Sequence, residues 1–128
     1  MYTDQTSSYE SCAHALGWAS LGIGLTELAA PDQLQELLGL DVNDEQRGTI
    51  QVLGAREVMH GVAILANGCP RKLSVGIWSR VAGDVLDTAL LAVAGAKTRR
   101  PVAFAAVAAS VLAIGAADLY CAIRLADR

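Results

Sequence analysis

A chain of 128 residues is long enough for one domain or one compact bundle. Hydrophobic residues make up 53% of it but aromatic residues only 5%, so small and aliphatic side chains supply an apolar content that suits close helix packing in lipid. The net charge of −3 leaves no basic footprint, and nucleic acid is therefore excluded as an expected partner.

The first residues of the chain differ from the rest. Residues 1–11 are polar, and we expect them to form a flexible tail. Asp4 and Glu10 occur there without any Lys or Arg, so the stretch lacks the positively charged beginning of a cleaved signal peptide. Residues 126–128 are expected to be a short C-terminal end.

Four apolar segments follow the tail, at residues 12–30, 49–68, 73–96 and 102–125. Each has about the length that a helix needs to cross a bilayer, roughly 20 residues. None is free of charges, and each alone is compatible with a buried helix of a soluble protein. Four of them in one small chain leave almost no soluble surface. The sequence therefore predicts an all-α fold, a four-helix transmembrane bundle formed by residues 12–125.

The connections between these segments support antiparallel neighbours. Residues 68–72 and 97–101 each combine proline with basic residues and predict tight turns. With four spans both termini lie on the same side, and each side then carries four Lys or Arg residues in its connections and ends. The positive-inside rule therefore does not distinguish the two orientations of the chain. The dense basic loop 97–100 favours the orientation in which both termini lie outside.

The longer connection, residues 31–48, contains a further helical pattern. Pro31 suits a first helical turn, and a helix from there would end near Gly39. Its two faces separate by polarity: Leu34, Leu37 and Leu38 on one, and Asp32, Gln33, Gln35 and Glu36 on the other. We predict a short amphipathic helix lying in the membrane interface between helices one and two.

Eight ionisable residues fall inside the apolar segments, and we call this set the polar seam: Glu27, Arg56, Glu57, His60, Arg80, Asp84, Asp87 and Asp118. Charges at that depth are costly unless they pair or line a polar cavity. Helical rise, about 1.5 Å per residue, sorts them into two layers.

The shallower layer would pair Arg80 with Asp118, with His60 nearby. The deeper layer would pair Arg56 with Asp84, Asp87 or Glu27. Small residues beside the seam, such as Gly54 and Gly83, would let the helices approach closely. The seam is either a set of structural salt bridges that fixes helix register or a path for protons or a ligand.

Several chemical motifs are incomplete. Glu57-x-x-His60 is half of a dimetal carboxylate motif without its second copy, so no metal is expected. Cys12, Cys69 and Cys121 map to one side of the bundle with His14, but they lack a close CxxC spacing, and packed free thiols are the favoured interpretation.

No catalytic residue is predicted. Gly22-x-Gly24 lacks the third glycine and the preceding strand of a dinucleotide loop, and Ser110 has no histidine near it in sequence. The acidic residues 41–45 begin like a calcium loop, but Gln46 stands where the loop needs glycine.

Two runs of residues carry a resemblance to known sequences. Gly54-Ala55-Arg56-Glu57 with His60-Gly61, followed by the run from Trp78 to Asp87, resembles a family of small bacterial four-helix membrane proteins. Some members are the membrane half of proteins with a polyketide-cyclase/START-like domain. The resemblance covers roughly residues 13–125. It implies the four-helix fold, a location in the bacterial inner membrane and a lipid or quinone partner, but no catalytic residue and no cofactor.

Three functions remain open at this point. The first is a non-enzymatic accessory or assembly subunit that packs against other membrane subunits. The second is a small transporter or binder of a hydrophobic ligand that uses the polar seam, and a cavity reaching Asp84 or His60 would favour it. The third, a haem-holding subunit of an oxidoreductase, would use His14 or His60.

Overall fold

A computed structural model describes residues 2–66 and 70–127 of the chain. They form five helices in the order α1 (Tyr2–Ala29), α2 (Pro31–Leu37), α3 (Asp44–Ala66), α4 (Pro70–Gly95) and α5 (Pro101–Ala126). No strand occurs among these residues. The all-α class is therefore confirmed, with four long helices and a short helix between the first two.

Two helices begin more than three residues earlier than the apolar segments predict. α1 begins at Tyr2, so the polar residues that were expected to be a tail are helical; no Pro or Gly interrupts them before Gly17. α3 begins at Asp44 instead of residue 49, because the Asn43 side chain caps it by accepting a hydrogen bond from the Gln46 backbone N–H at 2.8 Å. α4 and α5 begin at prolines, within three residues of their predicted starts. Residues 68 and 69 of the first predicted turn lie outside the described residues, and its remaining residues, 70–72, belong to α4 instead of a turn.

The four long helices associate as two pairs. α1 packs along α3, and α4 packs along α5, whereas contacts between the two pairs are sparse. Glycines allow the closest approach in the first pair: a Cβ on Gly24 would lie 2.6 Å from the Gly54 carbonyl oxygen, and one on Gly61 would lie 2.8 Å from that of Gly17. The predicted close approach at Gly54 is therefore present.

The two pairs meet mainly at the end of the bundle that carries the chain termini, which we call the terminal end. The buried apolar core lies there and takes residues from all four long helices: Ala13, Leu16, Ile64, Leu73, Ile77, Cys121 and Ala122. Towards the opposite end, the α2 end, the pairs separate. The polar seam lies between the core and this opening.

α2 lies across the α2 end and contacts both helix pairs. Arg47 of α3 donates from Nε and Nη2 to the two Asp32 carboxylate oxygens at 2.8 and 2.9 Å, and this hydrogen bonding raises the pKa of Arg47. On the other side, Thr98 Oγ1 donates to the Leu38 carbonyl at 2.6 Å, and the Arg99 backbone N–H donates to that of Gly39 at 2.8 Å.

The predicted short helix between the first two long helices is therefore present, with one correction to its faces. Gln35, which was placed on the polar side, is fully buried, because its Oε1 accepts a hydrogen bond from the Asn43 backbone N–H at 3.0 Å. Gly39 ends the α2 turn with φ 69°, a conformation that glycine adopts without strain.

By length and composition, one helix within residues 2–66 and 70–127 could cross a membrane, and it is α5. The other three long helices carry all the charged residues of the polar seam except Asp118, and these residues lower their apolar character. One such helix is weak evidence, so the four spans predicted from the sequence are not established by helix composition.

Candidate functional site

Arg80 is the centre of a hydrogen-bonded cluster that connects all four long helices. Its side chain is 1% exposed. Nε and Nη2 donate to Asp118 Oδ1 and Oδ2 at 2.9 and 2.8 Å, and Nη1 donates to Glu57 Oε2 at 3.2 Å and to Ser20 Oγ. The predicted Arg80–Asp118 pair is therefore confirmed, in the bidentate geometry that makes such pairs strong.

Arg56 forms the second layer of the cluster. Its Nη2 donates to Asp87 Oδ2 at 2.8 Å and to Glu57 Oε1 at 3.1 Å. Of the three carboxylates that helical rise allows for Arg56, Asp87 is thus the partner, and Asp84 and Glu27 are not. Since Glu57 contacts both arginines through different oxygens, the two predicted layers are one continuous network.

Gly83 is needed where α4 passes Arg56. A Cβ at this position would lie 3.0 Å from the Arg56 guanidinium carbon, so glycine leaves the room that the guanidinium occupies. The predicted small residue beside the seam is therefore in place on α4. Ala55 and Ala82, which flank the seam in sequence, are exposed instead.

Ser20 completes the cluster and was not anticipated from the sequence. It is fully buried, and its hydroxyl donates to Glu57 Oε2 at 2.5 Å. A signal was available: Ser20 precedes Glu27 by seven residues, two helical turns, so both lie on one face of α1. A single serine in an apolar segment is common, and this made the signal easy to miss.

His60 lies at the edge of the network. Its Nε2 is 2.9 Å from Ser79 Oγ, and its Nδ1 is 3.8 Å from Glu57 Oε1. Both oxygens of Glu57 are already engaged by other side chains, so the Glu57-x-x-His60 pair does not present a free chelating carboxylate. No group of three metal-ligating side chains occurs among the described residues.

Two carboxylates of the seam have no ion pair within the described part of the chain: Glu27 and Asp84. Their Oε2 and Oδ2 atoms are buried without a hydrogen-bond partner, as is Oδ1 of Asp87, the oxygen that Arg56 does not contact. These oxygens are acceptors that the protein leaves unused.

A cavity of about 560 Å³ occupies the space where the two helix pairs separate. Aliphatic side chains form its walls, among them Ile23, Leu53, Leu91 and Ile114, and Leu34, Leu37 and Leu38 of α2 cover it. The floor is polar and consists of seam residues: Glu27, Glu57, Arg80, Asp84 and Asp87. The cavity is therefore an apolar chamber with a floor that contains the two unpaired acids, Glu27 and Asp84. Further polar side chains line it near α2: Asn43, Glu45, Gln46, Thr49 and Lys97.

The outer surface of the long helices is largely apolar, in contrast to the polar seam inside the bundle. Large hydrophobic side chains are exposed along it, such as Trp18 at 66%, Met59 at 69% and Val85 at 67%. Every Asp, Glu, Lys, Arg or His within residues 15–29, 50–66, 73–95 and 102–123 is buried or half-buried. The exposed charges lie near the helix ends and in the connections.

The sequence placed three cysteines on one side of the bundle. Two of them lie among the described residues, and these two are adjacent. Cys121 Sγ lies 2.8 Å from Cys12 Sγ, and both thiols are free. Cys69 lies outside the described residues. His14 is exposed.

Comparison of the chain with protein-family models, with curated proteins and with solved structures finds no significant match.

Proposed function

We propose that this protein is an integral membrane four-helix bundle that binds a hydrophobic or amphipathic ligand in the cavity between its helix pairs. The observation that carries the proposal is the cavity itself, because it is largely apolar and ends at Asp84 and four other residues of the polar seam. Its volume falls within the range of about 300–1,000 Å³ that small-molecule sites occupy.

The placement of charges supports the membrane part of the proposal. A soluble bundle exposes charged side chains along its helices, whereas this one exposes aliphatic and aromatic side chains there and keeps the ionisable residues inside. Helix length and composition select only α5. Composition does not take internal pairing into account, and Arg56 and Arg80 are both paired inside the bundle.

Exposed hydroxyl groups on the long helices support the same conclusion. Thr26, Thr88 and Ser110 each donate to the carbonyl oxygen four residues earlier, at 2.8, 2.8 and 2.9 Å. This arrangement satisfies the hydroxyl within its own helix, as a lipid-facing position requires.

The cavity favours a ligand binder over the other functions considered from the sequence. A lipid or quinone remains the partner that the resemblance to small bacterial four-helix membrane proteins implies. The accessory-subunit hypothesis stays a prediction, and recovery of a defined larger complex in mild detergent would support it.

A photoreactive, uncharged isoprenoid quinone analogue tests the proposed function. We expect saturable labelling of cavity-wall peptides in the purified protein, suppressed by excess unlabelled analogue. Ile23→Trp should fill the cavity and reduce saturable labelling by about tenfold, since it removes most of the apolar contact. Leu25→Trp is the matched control, because Leu25 is 57% exposed and does not line the cavity.

Unsaturable labelling spread evenly over lipid-facing peptides, with no difference between the two tryptophan variants, would contradict a binding cavity. Thermal melts of both variants establish that each is folded under the labelling conditions.

A further inference from the structure

We propose that the cavity selects a lipophilic cation, that is, an apolar molecule with one positive charge, and holds that charge against Glu27 and Asp84. This inference rests on the proposed function, because it assigns the ligand class of the same cavity. It follows from which polar atoms of the floor are engaged and which are free.

The cationic donor of the floor is fully engaged. Arg80 lines the cavity, but its Nε, Nη1 and Nη2 all donate to Asp118, Glu57 or Ser20. Arg56 has unused nitrogens, Nε and Nη1, but Arg56 does not line the cavity. An anionic ligand at the floor would therefore find no free guanidinium donor and would face carboxylates.

The unpaired side chains of the floor are acids, because Glu27 and Asp84 line the cavity without an ion pair among the described residues. Glu27 Oε2, Asp84 Oδ2 and Asp87 Oδ1 are buried and have no hydrogen-bond partner. Asp87 already has Arg56 as its counter-ion at 2.8 Å, whereas Glu27 and Asp84 form no ion pair among the described residues. An ionised carboxylate without an ion pair is costly at membrane depth, and a bound cation would stabilise the ionised form of these two side chains.

The walls specify the rest of the ligand. Aliphatic side chains line most of the cavity between the floor and α2, and polar side chains, among them Lys97, line it near α2. Burial of an apolar body therefore provides the main binding energy, and the carboxylates of the floor discriminate by charge. A small hydrated cation would bury little apolar surface in such a chamber. The site is thus suited to a charge that is carried on a hydrophobic molecule.

Two probes of nearly the same size and shape but opposite charge test this inference. Tetraphenylphosphonium is a lipophilic cation and tetraphenylborate a lipophilic anion, and equilibrium binding of both is measured on the purified full chain. We expect tetraphenylphosphonium to bind at least about tenfold more tightly, given the cost of an unpaired buried charge. Glu27→Gln with Asp84→Asn should remove this preference, because both changes keep size and delete charge.

Asp41→Asn is the control, because Asp41 carries an exposed carboxylate whose side chain is 75% accessible and should leave both affinities unchanged. Ile23→Trp should reduce binding of both probes. The amide variants do not leave a buried charge unpaired, so they should fold, and thermal melts report this directly.

The outcomes separate the two proposals. If the neutral quinone analogue labels the cavity while the two charged probes bind equally, the cation inference is wrong and the proposed function stands. If tetraphenylborate binds more tightly, the inference is likewise overturned. If none of the three molecules binds saturably, both proposals fail.

Discussion

The guanidinium group of Arg80 contacts side chains from the three other long helices, and each of its nitrogens has an acceptor. Burial of this charge is tolerated because Asp118 and Glu57 compensate it at close range. Removing one partner of such a network costs more than removing both, since the remaining charge stays in a low-dielectric interior. This asymmetry makes the Arg80–Asp118 contact testable by mutation.

We expect Arg80→Ala to destabilise the protein more than the double change Arg80→Ala with Asp118→Ala. The expected difference is about 1–3 kcal/mol, the usual coupling between contacting residues. Thermal or denaturant unfolding in detergent of the wild type, both single variants and the double variant measures it. Strictly additive losses would show that the two side chains do not interact.

A surface pair provides the control for this cycle. Arg99 Nη2 and Asp41 Oδ1 are 3.1 Å apart, but both side chains are about three-quarters exposed. Alanine at both positions should give nearly additive effects, with a coupling of roughly 0–1 kcal/mol.

At the level of whole helices, the α1–α3 pair depends on contacts between backbones. Gly17 and Gly24 of α1 are two turns apart, as are Gly54 and Gly61 of α3, so each set lies on one helix face. The antiparallel arrangement brings Gly24 against Gly54 and Gly17 against Gly61. Close approach of the backbones replaces the side-chain interdigitation that holds most soluble helix pairs together.

Alanine substitutions in α1 should distinguish a glycine that packs against α3 from one that does not. A Cβ on Gly24 would lie 2.6 Å from the Gly54 oxygen, a backbone atom that cannot move aside, whereas one on Gly22 would meet nothing within 4 Å. We expect Gly24→Ala to lose about 1–3 kcal/mol through overpacking. Gly22→Ala should be neutral or stabilising by roughly 0.5–1 kcal/mol. Unfolding of both variants in the same detergent decides the matter, and equal stabilities would contradict the close helix approach.

For the molecule as a whole, pairing of α1 with α3 and of α4 with α5 creates both the cavity and its cover. The core closes the terminal end, the pairs diverge at the other end, and α2 closes that opening through Arg47 and Thr98. The polar seam lies at the boundary between the packed core and the cavity. This position lets one set of side chains both join the helices and form the floor of the cavity.

The membrane proposal predicts behaviour of the intact chain. We expect the protein to stay in the membrane fraction after alkaline carbonate extraction, because four apolar helix surfaces contact lipid. Topology reporters fused to either terminus should give the same side, since four spans bring both ends together. Release by carbonate, or reporters on opposite sides, would contradict a four-span arrangement.

The sequence by itself determined the elements and part of the site. Four apolar segments and the proline-marked connections predict the long helices and α2, because helix length and turn chemistry are local properties. The Arg80–Asp118 pair followed from helical rise alone, since depth along a straight helix depends only on residue number.

Only the tertiary structure decided which helices pair and which seam residues remain unpaired. Helical rise gives the depth of a residue in the bundle but not the direction of its side chain about the helix axis. It therefore allowed three partners for Arg56 and did not identify Ser20. The cavity arises because the two helix pairs meet at the terminal end and separate towards the α2 end. This is a property of the whole bundle, and no single segment determines it. Likewise, the oxygens of Glu27 and Asp84 that lack a hydrogen-bond partner can be identified only when the positions of all neighbouring donors are known.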